Sequence, residues 1–234
     1  MEPFRFKQFS VAHDRCAHKV GTDAVLLGAW VDVKGCRSML DIGTGSGVIA
    51  LMLAQRSGGK AQIDALEPAE TDAAQAMENV RNSPWPSRVV VHPIAVQNYS
   101  PGKTYDLILS NPPFFNASLR SPRDSRNYAR HTASLPHREL LRATELLLSD
   151  SGKFALILPV AEAEAFEREA MQSGLHCRRE LVLFPKPDRK AERKLLEFSR
   201  YAGSRESEVL ILHGALGGWS SEYKRLTADF YLNF

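Results

Sequence analysis

The sequence lacks any apolar run approaching the roughly 20 residues of a membrane-spanning helix; stretches such as 155–158 and 209–212 fall far short. Its opening, Met1-Glu2-Pro3-Phe4-Arg5, lacks the apolar run of a secretory signal. Together these absences predict a cytoplasmic protein with no membrane contact. Cysteine is scarce: Cys16, Cys36 and Cys177 lie far apart and form no CxxC pair, which argues against a zinc knuckle or disulfide framework and predicts buried thiols. His13-Asp14 and His18 have no further ligand at suitable spacing, so they read as polar packing and no metal is expected. Repeats, low-complexity tracts and linkers are also missing.

What is present is an ordinary globular composition, 44% hydrophobic and 24% charged. A chain of 234 residues predicts a single domain over 1–234. The net charge of +3 is small, but its distribution is uneven. Between Leu119 and Arg142 lie Arg120, Arg123, Arg126, Arg130, Arg138 and Arg142 against only Asp124 and Glu139. A second basic excess comprises Lys186, Arg189, Lys190, Arg193 and Lys194. Such clusters suit an anionic partner.

Hydrophobic periodicity predicts a strand over 4–9, a helix over 24–31 capped by Gly21-Thr22-Asp23, and then strands and helices in alternation. Strands are expected at 39–42, 62–66, 89–91, 105–109, 153–158 and 175–184, with helices at 48–54, 70–81, 135–148 and 161–171. That rhythm implies an α/β fold with a mostly parallel sheet covered on both faces. Strands at 195–198 and 209–212 have no helix between them and predict an antiparallel edge. The expected organisation is an extension over 1–38 covering the ligand side, a Rossmann-like core over 39–184 and an antiparallel part over 185–234.

Asp41-Ile42-Gly43-Thr44-Gly45-Ser46-Gly47 follows a strand and opens a helix, where glycines permit a tight turn and close approach to a ligand. A dinucleotide fingerprint needs glycine where Val48 stands, and no Gly-Lys-Ser/Thr is present for a phosphate loop. The acidic residue with three alternate glycines resembles motif I of class I S-adenosylmethionine-dependent methyltransferases. That resemblance implies S-adenosylmethionine as cofactor, with Asp41 near its ammonium group and Gly43, Gly45 and Gly47 beneath its methionine part. Glu67, 26 residues beyond Asp41, matches the acidic residue that holds both ribose hydroxyls. Lys19, Gly21 and Thr22 match the segment that closes over the cofactor. Ala95 lies where the cofactor adenine is usually contacted, without the common acidic residue.

Asn111-Pro112-Pro113-Phe114 follows the fourth strand of the core and resembles the Asn/Asp-Pro-Pro-aromatic motif of amino methyltransferases. An adenine N6 lone pair is delocalised into its ring and is a poor nucleophile. If the Asn111 side-chain oxygen and the Pro112 carbonyl each accept one N–H bond, the nitrogen can direct its lone pair at a methyl donor. The two prolines restrain the carbonyl's direction, and Phe114 can stack on the base. No metal, covalent nucleophile or strong general base is required.

The same tetrapeptide serves enzymes acting on protein glutamine, DNA adenine, ribosomal RNA guanine and tRNA adenine. Lys7-Gln8-Phe9, His13-Asp14-Arg15-Cys16 and Lys19-Val20-Gly21-Thr22-Asp23, with Tyr223-Lys224-Arg225-Leu226-Thr227 and Asp229-Phe230-Tyr231-Leu232, resemble the bacterial tRNA1(Val) adenosine-37 N6-methyltransferase family across nearly the whole chain. The resemblance implies N6-methylation of a tRNA adenine, and the charge layout suits it, with Arg120, Arg123, Arg126, Arg130, Lys186, Arg189, Lys190 and Arg193 expected to contact the RNA. Alternatives are methylation of another amine, on protein glutamine or an rRNA base, and a non-catalytic RNA-binding protein of this fold. The 38 residues before Met39 leave little room for the helical domain usual in glutamine methyltransferases.

Overall fold

The computed structural model describes residues 2–112, 135–214 and 217–233. A short hairpin of β1 (Phe4–Arg5) and β2 (Ser10–Val11) leads into α1 (Thr22–Trp30). The chain then alternates β3 (Ser38–Ile42), α2 (Val48–Arg56), β4 (Gln62–Leu66), α3 (Glu70–Arg81), β5 (Val89–His92) and β6 (Tyr105–Ser110). Next come α4 (His137–Leu147), β7 (Leu148–Pro159), α5 (Val160–Gln172), β8 (His176–Phe184), β9 (Arg193–Ser199), β10 (Glu206–Ile211) and α6 (Ser221–Thr227).

Eight strands form one sheet in the order β10-β8-β9-β7-β6-β3-β4-β5. Alternate side chains bury opposite faces, as period-two geometry requires. Met39, Leu107, Leu109, Ala155 and Ile157 join the core beneath α1 and α2. Leu40, Ile108, Phe154, Leu156 and Phe198 join the core beneath α4 and α5. Helix α1 is apolar all round, with Ala24 through Trp30 all buried, as befits a helix enclosed on every side.

Strand β9 is the antiparallel one, as its short connection from β8 dictates, but it is not at the edge. It lies between β7 and β8, and Leu195, Leu196, Glu197 and Phe198 are all buried there. Both of its edges are then occupied, so β10 passes to the far side of β8 and pairs parallel with it. The expected antiparallel edge is therefore an antiparallel insertion beside a parallel edge strand.

The continuous strand expected over 4–9 is also different. Phe6 N–H donates to the Phe9 carbonyl at 2.8 Å, closing a turn that stacks the two rings 4.6 Å apart inside the core. Phe6 bridges Tyr231, and Lys7 N–H donates to Phe230 O at 2.8 Å, so the first strand segment is tied to the last described residues. Of the three thiols only Cys16 is fully buried; Cys36 and Cys177 are half-buried. Burial pushes them up to about 11, 11 and 12 respectively. Among the described residues no helix is long and apolar enough to cross a membrane.

Candidate functional site

Strand register builds the site. Ile42 is paired with Ser110 on one side and Leu66 on the other. The next residues, Asn111, Gly43 and Glu67, therefore stand in a row at the carboxyl ends of β6, β3 and β4, about 4.8 Å per strand apart. That crevice is where open α/β sheets hold ligands. Buried Ser110 locks the row by donating its hydroxyl to Ile42 O at 3.0 Å. Gly43 and Thr44 N–H both donate to Leu66 O at 2.9 Å, and Glu67 N–H to His92 O at 3.1 Å.

The turn is open above. Gly43 and Gly45 have φ of 76° and 54°, and a Cβ on either would meet nothing within 4 Å. The left-handed backbone explains the glycines, and the free volume above them is the space a ligand would fill. Asp41 is fully buried beneath, with Oδ2 accepting the Thr44 hydroxyl at 2.5 Å and Oδ1 without a hydrogen-bond partner among the described residues. Burial pushes its carboxyl up to about 7. An orphaned buried oxygen suits a cationic ligand group. Glu67 accepts Gly45 N–H at 2.9 Å and Ala69 N–H at 3.0 Å, one on each oxygen. A carboxylate has about four acceptor positions, so capacity remains for two hydroxyls. Burial raises the Glu67 pKa as well.

Residues 12–20 lie across α3 and are fastened by polar residues that sequence reasoning missed. Buried Asn79 accepts Ala12 N–H at 2.9 Å and donates to Ala12 O at 2.7 Å and Ser46 O at 2.8 Å, joining this segment to the glycine turn. Asp72 accepts Ala17 N–H at 3.2 Å, and Gln75 accepts Arg15 Nε at 3.0 Å. Spaced three and four apart, Asp72, Gln75 and Asn79 form one buried polar stripe on α3. The available signal was its short side chains, which suit bonding to a close backbone. Lys19 donates to His13 O at 2.7 Å and closes its own loop, whose other bond runs from Val20 N–H to His13 Nδ1 at 3.0 Å. Gly21 holds the N-cap position of α1 with no side-chain cap, and Thr22 is its first residue.

Pro112 is buried and Asn111 half-buried at the end of β6. Pro113, Phe114, Arg120, Arg123, Arg126 and Arg130 lie outside the described residues. Half-buried Ala95 follows β5 on the same carboxyl edge. Its connection is held by a cluster around Asp64, which receives Lys103 Nζ, the Tyr105 hydroxyl and His92 Nε2, each at 2.7 Å. The Tyr99 and Tyr105 hydroxyls are 2.9 Å apart. Burial alone would raise Asp64, but the bonds from Lys103, His92 and Tyr105 outweigh it and hold its carboxyl below the usual range. In the β8–β9 connection Lys186, Arg189 and Lys190 are exposed. Arg193, expected among them, is instead half-buried with Nε 3.0 Å from Asp23 Oδ2, tying β9 to α1.

The family model described as the methyltransferase small domain matches residues 16–157. A tRNA1(Val) (adenine(37)-N6)-methyltransferase of Trichodesmium erythraeum is 46% identical over 99% of this chain and 98% of its own length. The protein of the same name from Salmonella enteritidis is 44% identical over 98% and 94%. Solved structures share the fold at lower identity. One, described as a predicted O-methyltransferase from Agrobacterium tumefaciens, has a TM-score of 0.67 at 18% identity, covering 89% of this chain and 96% of its own. A ribosomal protein L11 methylase from Lactobacillus delbrueckii has 0.51 at 16%, covering 76% and 78%. With the family model covering more than half of the chain and relatives matching almost all of it, this chain belongs to the tRNA1(Val) (adenine(37)-N6)-methyltransferase family of class I S-adenosylmethionine-dependent methyltransferases.

Proposed function

We propose that the protein methylates N6 of an adenosine in tRNA, adenosine-37 of tRNA1(Val), in the cytoplasm. The observation that carries this reading is the row Asn111, Gly43 and Glu67, which sets an amide acceptor beside an open glycine turn and a carboxylate with spare acceptor capacity. S-adenosylmethionine, when bound, would supply an electrophilic sulfonium methyl, its S–CH3 bond breaking to leave neutral S-adenosylhomocysteine. Asp41 takes the cofactor's ammonium charge, Glu67 its ribose hydroxyls, and the backbone at Ala95 its adenine. Lys19, Gly21 and Thr22 belong to the covering segment rather than to the turn itself.

The Asn111 side-chain oxygen and the Pro112 carbonyl accept the two N6 hydrogens, directing the nitrogen lone pair out of the ring plane toward the methyl. Pre-aimed acceptors of this kind carry catalysis without a charged base. Once methylated, the cationic nitrogen is acidic enough to release its extra proton to water. Phe114 is assigned to stacking on the extruded base, and Arg120, Arg123, Arg126 and Arg130 to the phosphates. Lys186, Arg189 and Lys190 extend the cationic surface along the same edge. Arg193 supports it through Asp23.

The test is incubation with labelled S-adenosylmethionine and tRNA from a strain lacking this activity, followed by nucleoside analysis. The expected product is N6-methyladenosine in tRNA1(Val). Label in protein or ribosomal RNA, with none in tRNA, would replace the substrate assignment.

A further inference from the structure

The carboxyl end of the sheet carries a second feature, on the outer side of the covering segment that includes Gly21 and Thr22. A cavity of about 450 Å³ is lined by Phe4, Arg5, Thr22, Trp219, Tyr231 and Leu232. Its position follows from helix packing. Gly28 packs directly on Met52, and Arg56 Nη1 donates to the carbonyls of Gly28 and Val31, at 3.0 Å for Gly28. Helices α1 and α2 therefore run parallel and begin on the same edge, and packed helices lie about 8–10 Å apart. The cavity at the start of α1 is one helix away from the glycine turn at the start of α2. On its other side, Leu212 N–H donates to Phe184 O at 2.8 Å and His213 N–H to Pro185 O at 3.1 Å. These bonds join the loop carrying Trp219 to the base of the β8–β9 connection, where Lys186, Arg189 and Lys190 are exposed.

The walls combine flat rings with positive charge. Trp219 is 37% exposed and stacks with His213 at 4.5 Å and Tyr223 at 4.4 Å, continuing an aromatic series that includes Tyr231 and Phe4. Arg5 is exposed at the rim. The first turn of α1, without a side-chain cap, adds backbone N–H donors to the wall. Aromatic surface beside a cation, between a cationic connection and a catalytic crevice, matches an unpaired nucleobase with its phosphate. The described lining holds no carboxylate, so the cavity suits binding rather than a second methyl transfer.

We propose that this cavity holds an unpaired base of the RNA substrate, a short way along the strand from the adenosine being methylated. The assignment rests on the tRNA reading above. It gives the protein a second grip on its substrate, one that fixes which loop nucleotide enters the crevice.

The test uses an anticodon-arm oligoribonucleotide containing the target adenosine, with abasic residues placed singly at each other loop position. Wild type should show about a tenfold rise in RNA KM at one position. Trp219→Leu should show that rise on the intact RNA already, with little further loss at the same abasic site. Its S-adenosylmethionine KM serves as the control for an intact cofactor site. Because Trp219 also packs on Tyr223, Arg5→Ala on the exposed hairpin is the second variant, expected to raise RNA KM severalfold and reduce the salt slope by about one. Equal abasic losses in wild type and Trp219→Leu at every position, or an unchanged RNA KM and salt slope in Arg5→Ala, overturn the proposal. If wild type forms N6-methyladenosine and both variants match it, the cavity assignment alone falls. If wild type forms none on any tRNA, the parent reading falls and takes the cavity assignment with it.

Discussion

Asp41 on β3 and Asp64 on β4 are neighbours in one sheet and both are buried, yet their surroundings act in opposite directions. Asp64 is surrounded by a lysine, a histidine and a tyrosine hydroxyl, and is held ionised below the usual carboxylate range. Among the described residues Asp41 has a threonine hydroxyl on one oxygen and no hydrogen-bond partner on the other, and burial pushes it up to about 7. A carboxylate that serves the fold is satisfied by the fold. One that serves a ligand is left short of a cation, and the deficit is what the ligand supplies.

The strongest way to separate the reacting edge from the supporting flank is Asn111→Ala. Its single-turnover rate should fall by about 10²–10³, while thermal stability and cofactor affinity stay close to wild type. Near-normal turnover would remove Asn111 from the chemistry. Asp64→Ala should do the reverse, losing about 3 kcal/mol in urea unfolding because a buried charged cluster loses its centre. A loss below about 1 kcal/mol would mean that the cluster behaves as solvated surface.

Asp41→Asn should sharpen the contrast further. Cofactor affinity by calorimetry should drop about tenfold, while the ligand-free protein at pH 8 melts no lower than wild type, since a desolvated charge has been removed. The sign follows from linkage. The folded value of about 7 lies above the unfolded value of about 3.9, so the folded state binds the extra proton between them. The contribution of Asp41 to the stability of the ligand-free protein therefore declines as pH rises from about 4 to about 7 and is level above. Binding a cationic ligand needs the ionised form, so affinity should weaken up to about tenfold per unit below pH 7, and Asp41→Asn should flatten that profile. A flat wild-type profile would contradict the placement of Asp41. The smallest effect is expected from Asn79→Ala, a threefold to fivefold rise in S-adenosylmethionine KM with kcat at saturation little changed. Equal loss of kcat would show that Asn79 does more than seat the turn.

The alternating strands and helices of the core and the glycine turn between β3 and α2 were legible because each depends on residues close in sequence. Helix α3 appeared at its expected bounds of 70–81 for the same reason. What was not legible depends on distant partners. Whether β9 ends a sheet or enters it is decided by which edges of β7 and β8 remain unpaired. Arg193 read as a substrate contact because its acid, Asp23, is 170 residues away. The fastening by Asn79 and Asp72 was not legible because the segment they hold lies 55 to 67 residues earlier. The aromatic alternation of Phe4, Phe6 and Phe9 suggested a strand, whereas its rings pack into a turn closed by the far end of the chain.

That last feature sets an order of events during synthesis. Phe6 and Lys7 find their partners in Phe230 and Tyr231, which leave the ribosome after the whole sheet has been made. These residues are made long before those partners, and until the partners emerge the segment is held by its own hairpin and by contacts such as Phe9 on Trp85. Domains assemble largely as units as they emerge; here the unit is sealed by a clasp between the earliest and the latest parts of the described chain.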